Sequence, residues 1–502
     1  MTKEPAAGAR EMFEAVYSGA QDSVVALLRA KVPPDVTDDE GQTPLYRAAV
    51  SDEAGIVRLL LAAGADPGRG SGPEGGDLPL CGAAVGGHTD VVRALLAAGA
   101  RPDQPEAYGF TALRWAVTLG HAATAEALLE YGADPDLEGP GGERPLVIAA
   151  RRGSPSTVRA LLRHGAKAKE AALAEARRWL ARDVESELRE GLLRAYGNGG
   201  EYETVARRIE EDGGVTVVVE LLRDGEPRAG SEQQTGHAAI VTLLEGQLEI
   251  QTPYAQLAER ALRCGDPEQD DWVESVMALW GRGDEETFQA AAAWCASDDP
   301  MRQAFAADVL AQLGFGDENV RPFAARSLPL LRELSREARE PELIQAVVLG
   351  LGHHGDPAAL PEILRHAGHP DAEVRNQVAL SLFGLVPGDH AEGIGTLITL
   401  SRDADPHVRD WATTALADVE ADTREIREAL AARLTDSDAD TAAEAARGLA
   451  IRQDPRAEAT LARILADADP DGYAREAATE AVRHIHDDIL RRRLEQTAPR
   501  YR

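Results

Sequence analysis

Aromatic side chains are scarce in this sequence, where Phe, Trp and Tyr make up only 4% of the 502 residues. Long apolar runs are also missing, since none approaches the roughly 18 uninterrupted residues that a membrane-spanning helix requires. The first residues, MTKEPAAGAREMFEA, contain neither the apolar stretch nor the small-residue cleavage site of a secretory leader. We therefore expect no membrane partner, and we predict a cytoplasmic location.

Cysteine is rare as well, with three copies at Cys81, Cys264 and Cys295. Their number is odd and no CxxC or Cys/His spacing occurs, which argues against a disulfide framework and against zinc. No GxSxG, HExxH or DFG signature appears in context. The sequence therefore predicts a non-enzymatic protein in a reducing compartment, with no catalytic residue, no metal and no cofactor.

Two histidine pairs contain the residue type that binds metal ions most often. His353 and His354 precede Asp356 in the segment GLGHHGDPAAL, which has the composition of a tight turn between helices. His484 and His486 are two residues apart, so on a helix they would face different sides. We predict a solvated turn for the first pair and no metal at either.

Negative charge dominates the chain, which has a formal net charge of −32. Residues 201–502 hold 57 acidic and 31 basic side chains, a net of −26, so residues 1–200 carry −6. Such a surface repels phosphate backbones and anionic lipid headgroups. We expect no nucleic-acid partner.

A repeat of about 33 residues organises the first third of the chain. Leu45, Leu80, Leu113 and Leu146 are spaced by 35, 33 and 33 residues, and a Gly-Ala pair follows each at Gly64, Gly99, Gly132 and Gly165. The unit TPLYRAA supplies a Thr cap and a Pro at the first helical position. Later units replace that Thr with Leu78 or Arg144, and the second follows a lengthened Gly-rich turn, RGSGPEGGD. The period resembles the ankyrin repeat over roughly residues 10–167.

This resemblance implies protein recognition through the turn tips and the exposed face of each first helix. The positions of this chain that match are Gln42, Arg47, Asp77, Gly82, Phe110, Trp115, Glu143 and Ile148. Aromatic residues are concentrated there, because Tyr108, Phe110 and Trp115 fall within eight residues. We interpret these three as a binding patch. The alternative is that the rings fold over the turn at residues 101–108 and shield it.

Residues 168–250 interrupt the repeats. Leucine and alanine at steps of three or four predict a helix pair or one long helix over 168–196. Val215, Val217, Val219 and Leu221 then alternate within VTVVVELL, which predicts a small β insertion at 203–234. An irregular helix is the alternative. Helix resumes at His237.

A second period follows, because Leu349, Leu382, Leu416, Leu449 and Val482 are spaced by 33, 34, 33 and 33 residues. The segments DPMRQAFAADVLAQLG, DAEVRNQVALSLFGL and DPHVRDWATTALADV share an acidic start, an Arg and a helical pattern. They resemble HEAT repeats of the phycobilin-lyase-like class, which are common in bacteria. We expect Arg302, Arg375 and Arg409 to pair with acidic residues of adjacent units. Trp411, at a helix start, is a further candidate for partner contact.

The sequence thus predicts an all-α protein of two tandem α-solenoids with a small β insertion between them. The expected parts are an N-terminal cap (1–33), ankyrin repeats (34–167), a helical linker with the β insertion (168–250), HEAT-like repeats (251–490) and a basic tail (491–502). The expected function is a monomeric adaptor that binds a protein or peptide. The alternative is a lyase-like or maturation role, which requires a cleft of convergent polar groups with a perturbed pKa. DNA-lesion binding is disfavoured by the charge.

Overall fold

A computed structural model describes residues 8–73, 75–197, 202–211, 213–316, 320–467, 469 and 472–497. The remaining residues, which include 1–7 of the predicted cap and 498–502 of the predicted tail, lie outside the description. The chain divides into two compact units, Met1–Ser275 and Val276–Arg502, and the boundary falls inside a helix that spans Asp270–Trp280.

The first unit begins with consecutive helix pairs, one pair for each repeat. Its first twelve helices are α1 (Ala9–Tyr17), α2 (Gln21–Arg29), α3 (Pro44–Val50), α4 (Ala54–Ala62), α5 (Pro79–Gly86), α6 (Thr89–Ala97), α7 (Ala112–Leu119), α8 (Ala122–Glu130), α9 (Pro145–Arg152), α10 (Pro155–Arg163), α11 (Lys169–Leu180) and α12 (Val184–Tyr196). Residues 168–196 therefore form a helix pair rather than one long helix.

Local sequence explains where these helices start. Thr43 and Thr111 accept hydrogen bonds from the backbone N–H three residues ahead, which satisfies one of the otherwise unpaired donors of α3 and α7. Leu78 and Arg144 provide no side-chain cap for α5 and α9. Proline at the first position of α5 and α9 supports those starts instead, because it lacks the N–H that would need a partner.

The helices stack in two layers that share one core. The first helix of each pair contacts the first helix of the next pair, from α1 through α3, α5, α7 and α9 to α11, and the second helices from α2 to α10 do the same. Leu45, Leu80, Leu113 and Leu146 are all buried between the layers. The 33-residue leucine period is therefore the period of the core.

A three-stranded antiparallel sheet follows, with order β1-β2-β3 and strands β1 (Glu203–Glu211), β2 (Gly214–Arg223) and β3 (Glu226–Gln234). This confirms the β insertion predicted for residues 203–234. Val217, Val219 and Leu221 of β2 are buried and form a cluster with residues of α12. Alternation on β2 thus places one apolar face of the sheet against a helix.

Two more helices follow in the first unit, α13 (His237–Gln247) and α14 (Tyr254–Cys264), and the helix that contains the boundary is α15 (Asp270–Trp280). α13 packs against α11 and α10. Its side chains Ile240, Val241 and Leu244 belong to the same buried cluster as the ankyrin core. The hydrophobic core of the repeats therefore continues past the sheet insertion.

The second unit is also a stack of helix pairs. It contains α16 (Glu285–Cys295), α17 (Pro300–Gln312), α18 (Ala324–Glu337), α19 (Pro341–His354), α20 (Leu360–Leu364), α21 (Ala372–Leu382), α22 (Ala391–Leu400), α23 (Pro406–Asp418), α24 (Arg424–Arg433), α25 (Ala439–Ile451), α26 (Ala457–Asp467), α27 (Tyr473–His484) and α28 (Asp488–Thr497), with a 3-10 turn at Pro357–Ala359. One layer runs through α17, α19, α21, α23, α25 and α27.

Arginine–aspartate pairs connect successive repeats of this unit. Arg375 binds Asp403 through two hydrogen bonds of 2.8 Å. Arg409 binds Asp436 in the same way at 3.1 Å, and it also donates to the carbonyl of Asp403. Arg302 differs, because it lies 3.7 Å from Asp299 of its own repeat. The expected pairing between units is therefore present for Arg375 and Arg409.

The histidine pair of α19 does not form the solvated turn expected from the sequence. His354 is buried, and its Nε2 lies 3.1 Å from the carbonyl of Leu310. His353 contacts the Gln312 side chain at 2.7 Å. Both imidazoles fill the interface with α17, because α19 extends one turn further than the sequence pattern indicates.

In the part of the chain that is described, no helix has the length and apolarity to cross a bilayer.

Candidate protein-binding surface

The aromatic residues of the third ankyrin repeat are held together rather than displayed separately. Trp115 on α7 donates its indole N–H to the Glu106 carboxylate at 3.1 Å. The Phe110 ring packs edge-on against Trp115 with ring centroids 5.1 Å apart, and the Arg114 guanidinium lies 5.1 Å from the Phe110 centroid. Trp115 thereby attaches the turn at residues 106–110 to its helix. Tyr108, at the tip of that turn, is 74% exposed.

A notch of about 210 Å³ opens between α3 and α5, beside this turn. Its walls are mostly apolar, and they carry two carboxylates. The lining residues are Tyr46, Val50, Asp77, Leu78, Cys81, Gly82, Val85, Gly86 and Glu106. We call this cavity the Gly82 notch.

Glycine at position 82 leaves this space open. A Cβ at that position would lie 2.6 Å from Val50 Cγ1 and 3.1 Å from Tyr46 Cε2. Any side chain there would therefore fill the notch or displace its wall. Position 82, which the ankyrin resemblance identifies with partner recognition, therefore presents a cavity and no side chain.

The notch is electrostatically negative. Burial, and secondarily the charge of Asp77, raise the pKa of Glu106, although its hydrogen bond from Trp115 acts in the opposite direction. The same two causes, burial first, raise the pKa of Tyr46. Within the described part of the chain, neither Asp77 nor Glu106 forms an ion pair with Lys, Arg or His. Two carboxylates without a cation therefore face one apolar cavity.

The other predicted positions on these turns contact neighbouring parts of the array. The backbone N–H of Gln42 donates a hydrogen bond to the Asp38 carboxylate, at 2.8 Å. The guanidinium of Arg47 lies 4.5 Å from the ring centroid of Tyr17, on α1. Glu143 pairs with Arg151 and Arg114, and the hydrogen bond from Arg151 is the main reason why its pKa is lowered.

Ile148 requires a correction, because it is only 5% exposed. It belongs to the same buried cluster as Leu173 and Ala176 of α11. The stack continues beyond the fourth ankyrin repeat, so α11 covers the face of α9 that would be open in a terminal repeat. Ile148 is therefore a core residue and offers no contact to a partner.

In the second unit, Trp411 lies near the start of α23 and is half-buried. Its ring packs edge-on against Phe383, with centroids 6.5 Å apart, and Phe383 is 45% exposed. The next residue toward the N-terminus, Asp410, lies among carboxylates of the following repeat, and burial followed by the charge of Asp438 raises its pKa to about 6. The pair Phe383–Trp411 is thus a small aromatic surface with an acidic border.

A polar cleft of about 320 Å³ lies in the first unit, where the sheet meets the end of α11 and the start of α15. Trp179 stacks on the His237 imidazole at 5.7 Å. Burial lowers the pKa of His237 to about 4 and raises that of Asp271 to about 6. This is the kind of cleft that the alternative function requires, and residues within 263–271, at the start of the predicted HEAT-like region, form part of its lining.

Each reactive group in the polar cleft already has a structural contact. His237 Nε2 lies 3.1 Å from the carbonyl of Arg151 at the end of α9. Asp271 accepts the backbone N–H of Ala239 at 2.7 Å, which caps α13. The Cys264 thiol donates to the Ala261 carbonyl, and burial raises its pKa. The His237 contact holds α13 against α9, the Asp271 contact joins α13 to α15, and the Cys264 contact is local to α14. Among the described residues, no group of three metal-binding side chains is present.

Some residues of these sites carry no signal in the sequence. His237 and Asp271 are 34 residues apart and match no motif. Tyr46 could have been found, because it is an aromatic residue at the repeat position that Cys81, Arg114 and Val147 occupy in the sister units. Glu106 could not, because its proximity to Trp115 depends on the path of the turn.

The stacked helix pairs of both units define a helical-repeat protein. Residues 40–70 match the sequence model of the ankyrin repeat, residues 69–139 match that of three ankyrin repeats, and residues 394–483 match that of HEAT repeats. The chain therefore combines ankyrin repeats with HEAT repeats, as the sequence pattern predicts. No curated protein matches it. Repeats of these two families generally serve as scaffolds for protein interactions.

Proposed function

We propose that this chain is a non-enzymatic adaptor that binds a protein or peptide on the exposed face of its ankyrin repeats. The observation that carries the proposal is the adjacency of the Gly82 notch to the turn that bears Tyr108. A stacked array presents such a face preorganised, so a partner does not have to order it on binding. An exposed aromatic ring beside an apolar cavity is a typical anchor for a partner.

The second unit supplies a separate candidate surface at Phe383 and Trp411. We further propose a monomer without nucleic-acid partners in a reducing compartment, consistent with a cytoplasmic location. The three cysteines are free, and burial raises the pKa of the Cys81 and Cys295 thiols to about 12, which keeps them protonated and unreactive. The net charge of −32 supports the absence of nucleic-acid partners.

Affinity capture with matched variants tests the adaptor function. Tyr108→Ala removes the exposed ring from the turn, whereas Tyr131→Ala removes a ring that is 44% exposed at the end of the second helix of the same repeat. We expect mass spectrometry to identify proteins that the wild type and Tyr131→Ala capture and Tyr108→Ala does not. Equal capture by all three would contradict use of this face.

A second candidate function is the chemical modification of a protein that this chain binds. The polar cleft is the one observation that favours it. Asp271, with its pKa raised to about 6, has the kind of carboxyl that acid–base chemistry uses. Asp271→Asn retains the oxygen that accepts from Ala239 and removes the titrating group. If the cleft is catalytic, captured partners should differ in mass between wild type and Asp271→Asn. Identical masses would leave binding as the function.

A further inference from the structure

The Gly82 notch has a composition that selects one kind of side chain. Its walls are apolar over Val50, Leu78 and Val85, and its charged groups are the carboxylates of Asp77 and Glu106. The other polar side chains of the lining are Tyr46 and Cys81. A neutral apolar side chain would fill the cavity but would leave both carboxylates facing a desolvated contact, which is costly. An acidic side chain would add a third negative charge to the same space.

A long cationic side chain satisfies both parts of the notch. Arginine and lysine carry an aliphatic stem that packs on apolar surface and a charged end that pairs with carboxylates. The cations nearest along the chain to the residues that line the notch have other contacts. Arg47 lies over Tyr17, His88 lies 3.6 Å from Asp52, and Arg101 donates to Gln104. Among the residues that the structure describes, no Lys, Arg or His pairs with Asp77 or Glu106, so a cation of a partner can take that place.

We propose that the Gly82 notch receives an arginine or lysine side chain of the partner, with its stem against Val50 and Val85 and its charge at Asp77 and Glu106. This inference rests on the proposed adaptor function and adds the chemistry of the partner. Tyr108, on the adjoining turn, would then contact residues that flank the cationic anchor. The recognised segment is an exposed basic segment of a protein, and not an acidic or purely apolar one.

The experiment selects displayed random peptides on the full chain, with counter-selection on Gly82→Leu, which fills the notch. Clones that bind the wild type and not the variant should share an Arg or Lys at one fixed position. Replacing that residue by citrulline, which has the shape of arginine without its charge, should weaken binding by about tenfold or more. Circular dichroism verifies that Gly82→Leu is folded.

Two variants that remove a charge test the proposal without the Gly82→Leu substitution. Glu106→Gln retains an oxygen for the Trp115 indole and removes the charge, and it should weaken the same peptides by about tenfold. Glu40→Gln makes the same charge change on the turn of the first repeat, outside the notch, and should leave affinity unchanged. Equal losses in both would mean that only long-range attraction is involved and would overturn the proposal.

Three further outcomes would also overturn it. These are an absence of clones that depend on Gly82, an anchor residue that is apolar or acidic, and peptides that tolerate citrulline. Clones that lose binding with Tyr108→Ala but not with Gly82→Leu would sustain the adaptor function while refuting the cationic anchor. The two claims can therefore fail separately.

Discussion

The indole N–H of Trp115 and the carboxylate of Glu106 are joined by a hydrogen bond of 3.1 Å that connects helix α7 to the turn preceding it. This bond gives Glu106 two roles. It anchors the aromatic turn, and its side chain lines the Gly82 notch. The shape of the candidate binding surface therefore depends on a contact internal to the third repeat.

Substitution of Trp115 should affect stability as well as binding. Trp115→Ala removes the hydrogen bond to Glu106 and the edge-on contact with Phe110, so we expect a loss of about 2 kcal/mol in the free energy of unfolding. Tyr108→Ala serves as the control and should leave stability unchanged, because that ring is exposed. Denaturant titrations of the three proteins measure this. An unaltered stability in Trp115→Ala would mean that the ring is a free surface group.

The sequence predicts the repeats well because their core is periodic. A leucine every 33 or so residues has to lie in equivalent places in stacked units, and alternating Val217, Val219 and Leu221 can bury one face only in a strand. Equivalent recognition positions of the repeats, in contrast, differ in how deeply they are buried. Ile148 is covered because α11 continues the stack. The Gly82 notch is open because position 82 lacks a side chain, and its two carboxylates come from different turns. Such contacts depend on the three-dimensional path of loops that no repeat position encodes.

The arginine–aspartate pairs should stabilise the fold through two parallel hydrogen bonds, which a lysine side chain cannot form. Arg409 forms two bonds to Asp436 and a third to the Asp403 carbonyl. Arg409→Lys should lower the free energy of unfolding by about 1–2 kcal/mol, because an ammonium group cannot make the paired contacts. Arg302→Lys is the control, since Arg302 lies 3.7 Å from a half-exposed Asp299. Equal stability of the two variants would contradict the pairing.

Asp410 predicts a pH dependence of stability. Burial and the charge of Asp438 raise the pKa of Asp410 to about 6. The folded protein therefore retains this proton to a higher pH than the unfolded chain does, so this group's contribution to stability falls as pH rises from about 4 to about 6. Asp410→Asn keeps an acceptor for Thr441 and removes the charge.

We expect Asp410→Asn to increase the free energy of unfolding by about 1 kcal/mol near pH 8 and to match the wild type near pH 4. Asp298→Asn, at an exposed position of the same unit, should change stability at neither pH. A decrease in stability for Asp410→Asn at high pH would indicate that the ionised carboxylate is favourable in the folded state.

The packing of α13 predicts which fragments of the first unit are stable. Ile240, Val241 and Leu244 complete the core that α10 and α11 begin. A fragment of residues 1–275 should unfold cooperatively, whereas a fragment of residues 1–196 should be less stable by several kcal/mol, since each lost apolar side chain contributes roughly 1.5–3 kcal/mol. Equal denaturation midpoints would mean that the repeats do not need α13.

The central claim is that a protein partner occupies the exposed ankyrin face, and site-specific photo-crosslinking in cells tests it most directly. The full chain carries the photoreactive residue p-benzoylphenylalanine in place of Tyr108. A second protein carries it at the control position Tyr131, and a third carries it at Phe383 of the other candidate surface. Our account predicts a covalent adduct with another protein at position 108 and no such adduct at position 131. Adducts at position 383 alone would move the binding surface to the second unit. Crosslinking at 131 with none at 108, or none at any of the three positions, would contradict the account.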